Sequence, residues 1–243
     1  MPASGGGNQP ADATSAIKYG WEKFQQNWQV ILMALIVGFV AIVVLGGIGF
    51  LIQRSLTSVD DCTVRISNGV IRSSGGCGSS PGFFTTLFAS ALFQFLFYLG
   101  STILQYFIIR ATLIIVRGEK LEASSVMSFD SFGPYFVTAI LVGILTFVGF
   151  VLCILPGIAV AFFTMFWGYF VVDKNMSPVD AIKASFELVK DNIGAVIVFL
   201  ILGWLVTLAG FIACIVGLVV AMPVVTIATG YMYKRLQGEP VAA

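Results

Sequence analysis

The chain has 243 residues, of which 58% are hydrophobic and 10% charged, far from the soluble pattern of about 45–50% apolar and 25% charged. Its 13 Lys and Arg nearly cancel 12 Asp and Glu, so no net field recruits nucleic acid or another polyion. There is no His, which removes the commonest general base and the commonest metal ligand together.

Residues 1–14 are rich in Gly, Pro, Ala and Ser and read as a disordered tail. They lack the basic start and small-residue cleavage site of a signal peptide. Residues 15–240 read as one membrane domain. About 20 apolar residues cross the hydrocarbon layer once. Segments 29–53 and 82–109 are uncharged and cross once each. Segments 131–172 and 192–233 each run 42 residues without a charge, about twice a single span, so each must double back. The turns are expected at "CILPGIA", around Pro156-Gly157, and at "LAGFIACIVG". Six helices follow, near 29–52, 83–109, 135–154, 157–172, 193–209 and 213–233. Pro223 inside the sixth is expected to kink it.

With six spans both ends share a side. That side carries ten Lys and Arg against three on the other, which makes it cytoplasmic.

"AIKYGWEKFQQN" (16–27) and "AIKASFELVKDN" (181–192) align position for position. The second is an amphipathic helix introduced by Ser177-Pro178, a cap followed by Pro in the first turn. Val179, Ile182, Phe186 and Val189 lie on its apolar half and Lys183 and Glu187 on its polar half. Ile17, Trp21 and Phe24 match Ile182, Phe186 and Val189. A degenerate third copy, "SSVMSFDSFGP", precedes the middle hairpin. All three hold an aromatic–acid pair: Trp21-Glu22, Phe129-Asp130 and Phe186-Glu187. The hairpin turns match too, "GFVLCILPGIAVA" with "GFIACIVGLVVA", as do the ends "IRATLIIVRGE" and "IATGYMYKRLQGE". The expected fold class is therefore all-α and polytopic: six transmembrane helices as three parallel hairpin repeats, about 15–118, 119–173 and 177–239. An interfacial amphipathic helix precedes each and sets its depth.

Loop 53–82 is the one sizeable segment outside the membrane. Asn68-Gly69 between "TVRIS" and "VIRSS" signals a β-hairpin. Cys62 and Cys77 flank it on the oxidising side, so the expected element is a small disulfide-closed extracytoplasmic hairpin, with two free thiols as the alternative. Cys153 and Cys214 occupy matching places in two repeats and read as buried apolar fillers, with a second bridge as the alternative.

Little chemistry is visible. Arg110, Asp173 and Lys234 fall at span ends, where snorkelling explains charges. Gln94 and Gln105 are the main polar groups of the second helix. They either bond neighbouring helices or line a path. Trp21, Trp28, Tyr231 and Tyr233 sit near boundaries as an anchoring belt would. No nucleophile–base pair, phosphate loop or metal spacing assembles, and no cofactor is expected.

Leu155-Pro156-Gly157, Val172-Asp173-Lys174, Ser177-Pro178, Ala181 and Ser185-Phe186 resemble the pattern of a largely uncharacterised group of six-helix bacterial membrane proteins. That group is related to the membrane domain attached to some glycerophosphodiester phosphodiesterases. The resemblance covers about 135–240 and implies a multi-pass protein of the bacterial plasma membrane. No soluble phosphodiesterase domain accompanies it here, so that activity is not expected. The expectation is a non-enzymatic accessory, assembly or scaffold component for envelope or lipid processes. Membrane lipids are the expected partners, with other membrane proteins or a second copy of the chain. The alternative is a transporter, channel or lipid-translocating protein.

Overall fold

The computed structural model describes residues 12–57, 63–67, 70–74, 82–120, 122–212 and 214–242, the two strands by their backbone. The helices are α1 (Ala13–Thr57), α2 (Phe83–Arg117), α3 (Ala123–Val126), α4 (Phe132–Leu152), α5 (Ile154–Phe163), α6 (Trp167–Lys174), α7 (Pro178–Asp191), α8 (Ile193–Ile212) and α9 (Cys214–Leu236). Strands β1 (Thr63–Ser67) and β2 (Val70–Ser74) lie between α1 and α2 in sequence.

Five helical stretches are long and apolar enough to cross a membrane: Ala13–Thr57, Phe83–Arg117, Phe132–Leu152, Ile154–Lys174 and Ile193–Ile212. Helix α9 adds 23 residues. Large apolar side chains stand exposed along these helices, among them Phe39, Leu51, Phe147, Leu152, Trp204 and Ile212. Water would penalise so wide an apolar surface and lipid would not. The chain is a helical protein of the membrane-spanning kind.

It forms two compact units, one of residues 37–104 and one of 1–36 with 105–243. In the smaller, the Gln53 side-chain N–H donates to Ser90 Oγ at 3.3 Å, tying α1 to α2. Strands β1 and β2 pair antiparallel, with Ser67 opposite Val70 and Thr63 opposite Ser74. That register leaves two residues for the turn, as the Asn-Gly signal requires. Asn68, Gly69, Cys62 and Cys77 lie outside the described residues.

The larger unit holds the first part of α1, the last part of α2 and helices α3 to α9. Helix α1 is two helices joined at Asn27, whose φ −122° and ψ 16° are not helical. Asn192 joins α7 to α8 with φ −129° and ψ 29°. The Asn27 amide donates to Lys23 C=O at 3.0 Å, and the Asn192 amide to Leu188 C=O at 2.9 Å. At the second joint the Asn192 side chain takes up the Leu188 carbonyl, because Asn192 N–H donates instead to Val189 C=O at 3.1 Å.

The buried faces of the two preludes also correspond. Ala16, Gly20, Phe24 and Ile31 are buried in the first, and Ala181, Ser185, Val189 and Val196 in the second. The large apolar residues flanking them are not: Trp21 is 47% exposed and Phe186 45%. In α7 the stripe that packs on protein is therefore the one of smaller side chains, Ala181, Ser185 and Val189, displaced from the centre of the expected apolar half, whereas in the first prelude it includes Phe24. The degenerate third prelude shrinks to the single turn of α3, followed by irregular chain as far as Ser131. Its serines, Ser124, Ser125, Ser128 and Ser131, disfavour a longer helix.

The α4–α5 reversal takes one residue, Cys153, at φ −172° and ψ 158°. The turn expected at Pro156-Gly157 thus lies earlier, and these residues occupy the first turn of α5. A proline there forfeits no helical hydrogen bond. A methyl placed on Gly149 would come within 2.9 Å of Gly157 Cα, and one on Gly210 within 2.8 Å of Gly217 O. Both hairpins close glycine against glycine near the reversal. Cys153 carries a free thiol and is exposed rather than buried. The side chain of Cys214 lies outside the described residues.

The span expected at 157–172 is broken over Thr164–Phe166. Ser185 of α7 mends the break: it accepts from Phe166 N–H and donates to Phe163 C=O, both at 3.0 Å. One buried hydroxyl on the amphipathic helix satisfies two backbone groups that the break releases.

Candidate functional site

The densest polar arrangement lies where α2, α6 and α9 end. Helix α6 presents Asp173 and Lys174 in its last turn, α9 presents Tyr233 and Lys234, and α2 ends on Arg117. Left-handed caps follow two of these helices: Gly118 has φ 74° and Gly238 φ 73°. Gly118 N–H donates to Ile115 C=O and Glu119 N–H to Ile114 C=O; Gly238 and Glu239 make the same bonds to Arg235 and Lys234. These are two Schellman closures, and both direct the chain back over the helix end. Asn175, at φ 50°, provides the corresponding left-handed residue after α6.

Asp173 is the centre of this end, its side chain only 3% exposed. Lys234 Nζ reaches Oδ2 at 2.7 Å and the Tyr233 hydroxyl donates to the same oxygen at 3.0 Å. Arg117 holds Oδ1 and also donates to the Asp173 carbonyl at 3.4 Å. Lys234, with a side chain 9% exposed, also pairs with Glu239 at 2.5 Å, and Lys174 pairs with Glu239 at 3.1 Å. Burial works against the Glu239 carboxylate. The hydrogen bonds from Lys234 and Lys174 and their charges outweigh it and hold that carboxyl below its ordinary value. Ala242 N–H donates to Val116 C=O at 3.0 Å, so the segment after α9 is strapped to the end of α2.

Arg117, Lys174 and Lys234 thus face Asp173, Glu239 and Glu119, three cations against three anions. An arrangement whose charges already answer one another offers no net field to an ion. What it does is fix three helix ends to each other, because withdrawing one partner strands a buried charge. Sequence reasoning explained Asp173 and Lys234 by snorkelling, and the geometry corrects this. They are buried and paired with each other. Tyr233, expected in an anchoring belt, is buried with them and stacks on Tyr169 at 5.3 Å.

A second polar centre surrounds Tyr106, which is fully buried. Its hydroxyl accepts from Arg110 Nη1 at 3.0 Å and from Ser131 N–H at 3.3 Å, and donates to Ser128 C=O at 3.3 Å. Arg110 also donates to Ser125 C=O at 3.1 Å and lies 3.7 Å from Asp130. Arg110, too, is an anchor: it pins residues 125–131 onto α2.

The three aromatic–acid pairs make separate local contacts. Glu22 pairs with Lys18 at 3.9 Å, and Trp21 lies 6.5 Å from Phe24 between ring centroids. Phe129 packs edge-on to Phe107 at 5.2 Å while Asp130 faces Arg110. Phe186 tilts against Phe163 at 4.7 Å. Gln94 belongs to the smaller unit. Gln105 lines a cleft of about 300 Å³ with Tyr135, Trp167, Tyr169 and Thr226. The charged end was legible only as residue types at helix ends. Asp173 stands 61 positions from Lys234 and 56 from Arg117 in sequence, and no local pattern links them.

Comparison with known proteins finds uncharacterised mycobacterial relatives. Similar over 228 residues at 29% identity are the uncharacterised protein Mb2590 of Mycobacterium bovis and the uncharacterised proteins MT2637 and Rv2560 of Mycobacterium tuberculosis. The matched stretch is 93% of this chain and 69% of each relative. No family model matches, and no solved structure matches.

Proposed function

We propose that the chain is a non-enzymatic accessory or scaffold component of the bacterial plasma membrane, serving envelope or lipid processes. The observation that carries this is the division of its surface. The charged groups at the α2, α6 and α9 ends are spent on one another, while the helices leave a wide apolar exterior. Such a molecule offers its neighbours an apolar face instead of a reactive centre. Cross-linking in native membranes followed by mild solubilisation tests it. A defined partner protein, or a second copy, should be recovered at constant stoichiometry. A chain that migrates alone from every mild detergent sinks the scaffold reading.

The architecture within this reading is six spans in three parallel modules, with α9 the sixth and both ends cytoplasmic. Its support is the recurrence of devices at matching positions: the Asn27 and Asn192 joints, the Gly149–Gly157 and Gly210–Gly217 closures, and the left-handed residues Gly118, Asn175 and Gly238. The relation of residues 135–240 to the six-helix group belongs to the same proposal. So does a Cys62–Cys77 disulfide on the outer side. Alkylation of intact cells by an impermeant maleimide tests both points. Cys62 and Cys77 should label only after reduction, and a cysteine placed near either end should not label at all.

The second reading is a transporter, channel or lipid-translocating protein. The Gln105 cleft, with its Thr226 and Tyr135 neighbours, favours it. Solute and lipid flux in reconstituted vesicles separates the two, since flux above empty vesicles that is lost in Gln105→Leu would replace the scaffold reading.

A further inference from the structure

The outer side of α7 borders a groove of about 460 Å³ against α4 and α5. Leu145, Val160, Phe163 and Phe186 form its walls, and Lys183 and Glu187 border it from α7. The two charged residues stand one helical turn apart and are exposed. Among the described residues neither takes part in an ion pair, and the pair does not close on itself. The matching residues of the first prelude, Lys18 and Glu22, do meet at 3.9 Å. An apolar groove edged by one open cation and one open anion is complementary to a molecule with an apolar chain and a head carrying both charges.

We propose that this groove binds one phosphatidylethanolamine molecule, with its phosphate at Lys183, its ammonium at Glu187 and an acyl chain between Leu145, Val160 and Phe163. Neighbouring residues on one helix face are about 5–6 Å apart at Cβ, a span that a phosphate and an ammonium joined by two carbons can bridge. A free fatty acid or an anionic phospholipid satisfies Lys183 but sets a second negative charge beside Glu187. The carboxylate–ammonium and phosphate–ammonium contacts are both charge-assisted, the stronger class of hydrogen bond. The assignment rests on the interfacial placement of α7 in the proposed architecture, which puts this edge at headgroup depth.

Native mass spectrometry of the full chain, released from detergent with equal amounts of phosphatidylethanolamine, phosphatidylglycerol and phosphatidylcholine, tests the site. Phosphatidylethanolamine should be retained preferentially. Lys183→Gln and Glu187→Gln should each lower its retention by about tenfold, the scale of one charged hydrogen bond. Glu187→Gln should also erase the preference over phosphatidylglycerol. In Leu145→Trp, a phosphatidylethanolamine brominated on its acyl chain should quench the new fluorescence. Equal retention of the three lipids, or variants that bind like the parent, overturns the proposal. So does a phosphatidylglycerol preference that only Lys183→Gln abolishes. Spin-label depth at Ala184→Cys in bilayers reads the placement of α7 separately. A label found away from the headgroup layer removes that placement, even where the micelle experiment upholds the lipid site.

Discussion

The larger unit joins its helices in two opposite ways. Where α2, α6 and α9 end, three helix-borne donors converge on one carboxylate, and the chain beyond α9 folds back to close over them. At the α4–α5 and α8–α9 reversals there are no charges, and glycines let the backbones touch. The first joint is held by long-range electrostatics with little solvent to screen it. The second depends on dispersion between surfaces that fit. Energy stored in charged partners is lost abruptly when one is removed, whereas a close-packed contact degrades in proportion to the volume forced into it.

Replacing Asp173 should show the difference most strongly. Asp173→Asn removes the counter-charge of buried Lys234 and a partner of Arg117, and is expected to cost about 3–5 kcal/mol, read from unfolding in mixed micelles. Next in size is Gly149→Leu, which drives a side chain into the Gly157 backbone and should cost about 3 kcal/mol. Smaller residues at 149 should cost progressively less, and no such grading is expected at 173. Ser185→Ala probes a third kind of joint, a hydroxyl spent on a broken helix. It should cost about 2 kcal/mol by stranding Phe166 N–H and Phe163 C=O. Hydrogen exchange should rise at Phe166 before it rises within α6.

The smallest effect concerns acid. Glu239 has its carboxyl held below the ordinary value of 4.5 in the folded chain. Its contribution is therefore complete above that value and is lost as pH falls through the lower native one. Stability should drop in that window by under about 1 kcal/mol, since the group is partly solvated. Glu239→Gln should remove this component of the profile, and a profile identical to the parent's would show that Glu239 is not coupled to folding.

The helical stretches were legible because uncharged length is a direct physical requirement of a bilayer. The Ser177 cap was legible as well, and Ser177 Oγ does accept from Asp180 N–H at 3.4 Å. The repeated Asn of the two preludes was visible as a letter, but its work as a joint was not. That depends on a backbone bend which periodicity does not encode. Ser185 was harder still, since a serine among apolar residues reads as a small filler until the broken helix beside it is known. The amphipathic wheel also misled in one respect. It located the apolar half of α7 but not its split into a small stripe against protein and large residues left exposed.

The aromatic lining of the ionic end has an optical consequence. Tyr233 is stacked on Tyr169, has Phe166 and Phe170 at 6.3 and 5.0 Å, and bonds Asp173 through its hydroxyl. Rings held in so fixed and chiral a setting generate near-ultraviolet circular dichroism, while peptide dichroism in the far ultraviolet reports helix alone. A sample whose helix ends have come apart would keep the second signal and lose part of the first, so the molecule carries an intrinsic gauge of its own tightest joint.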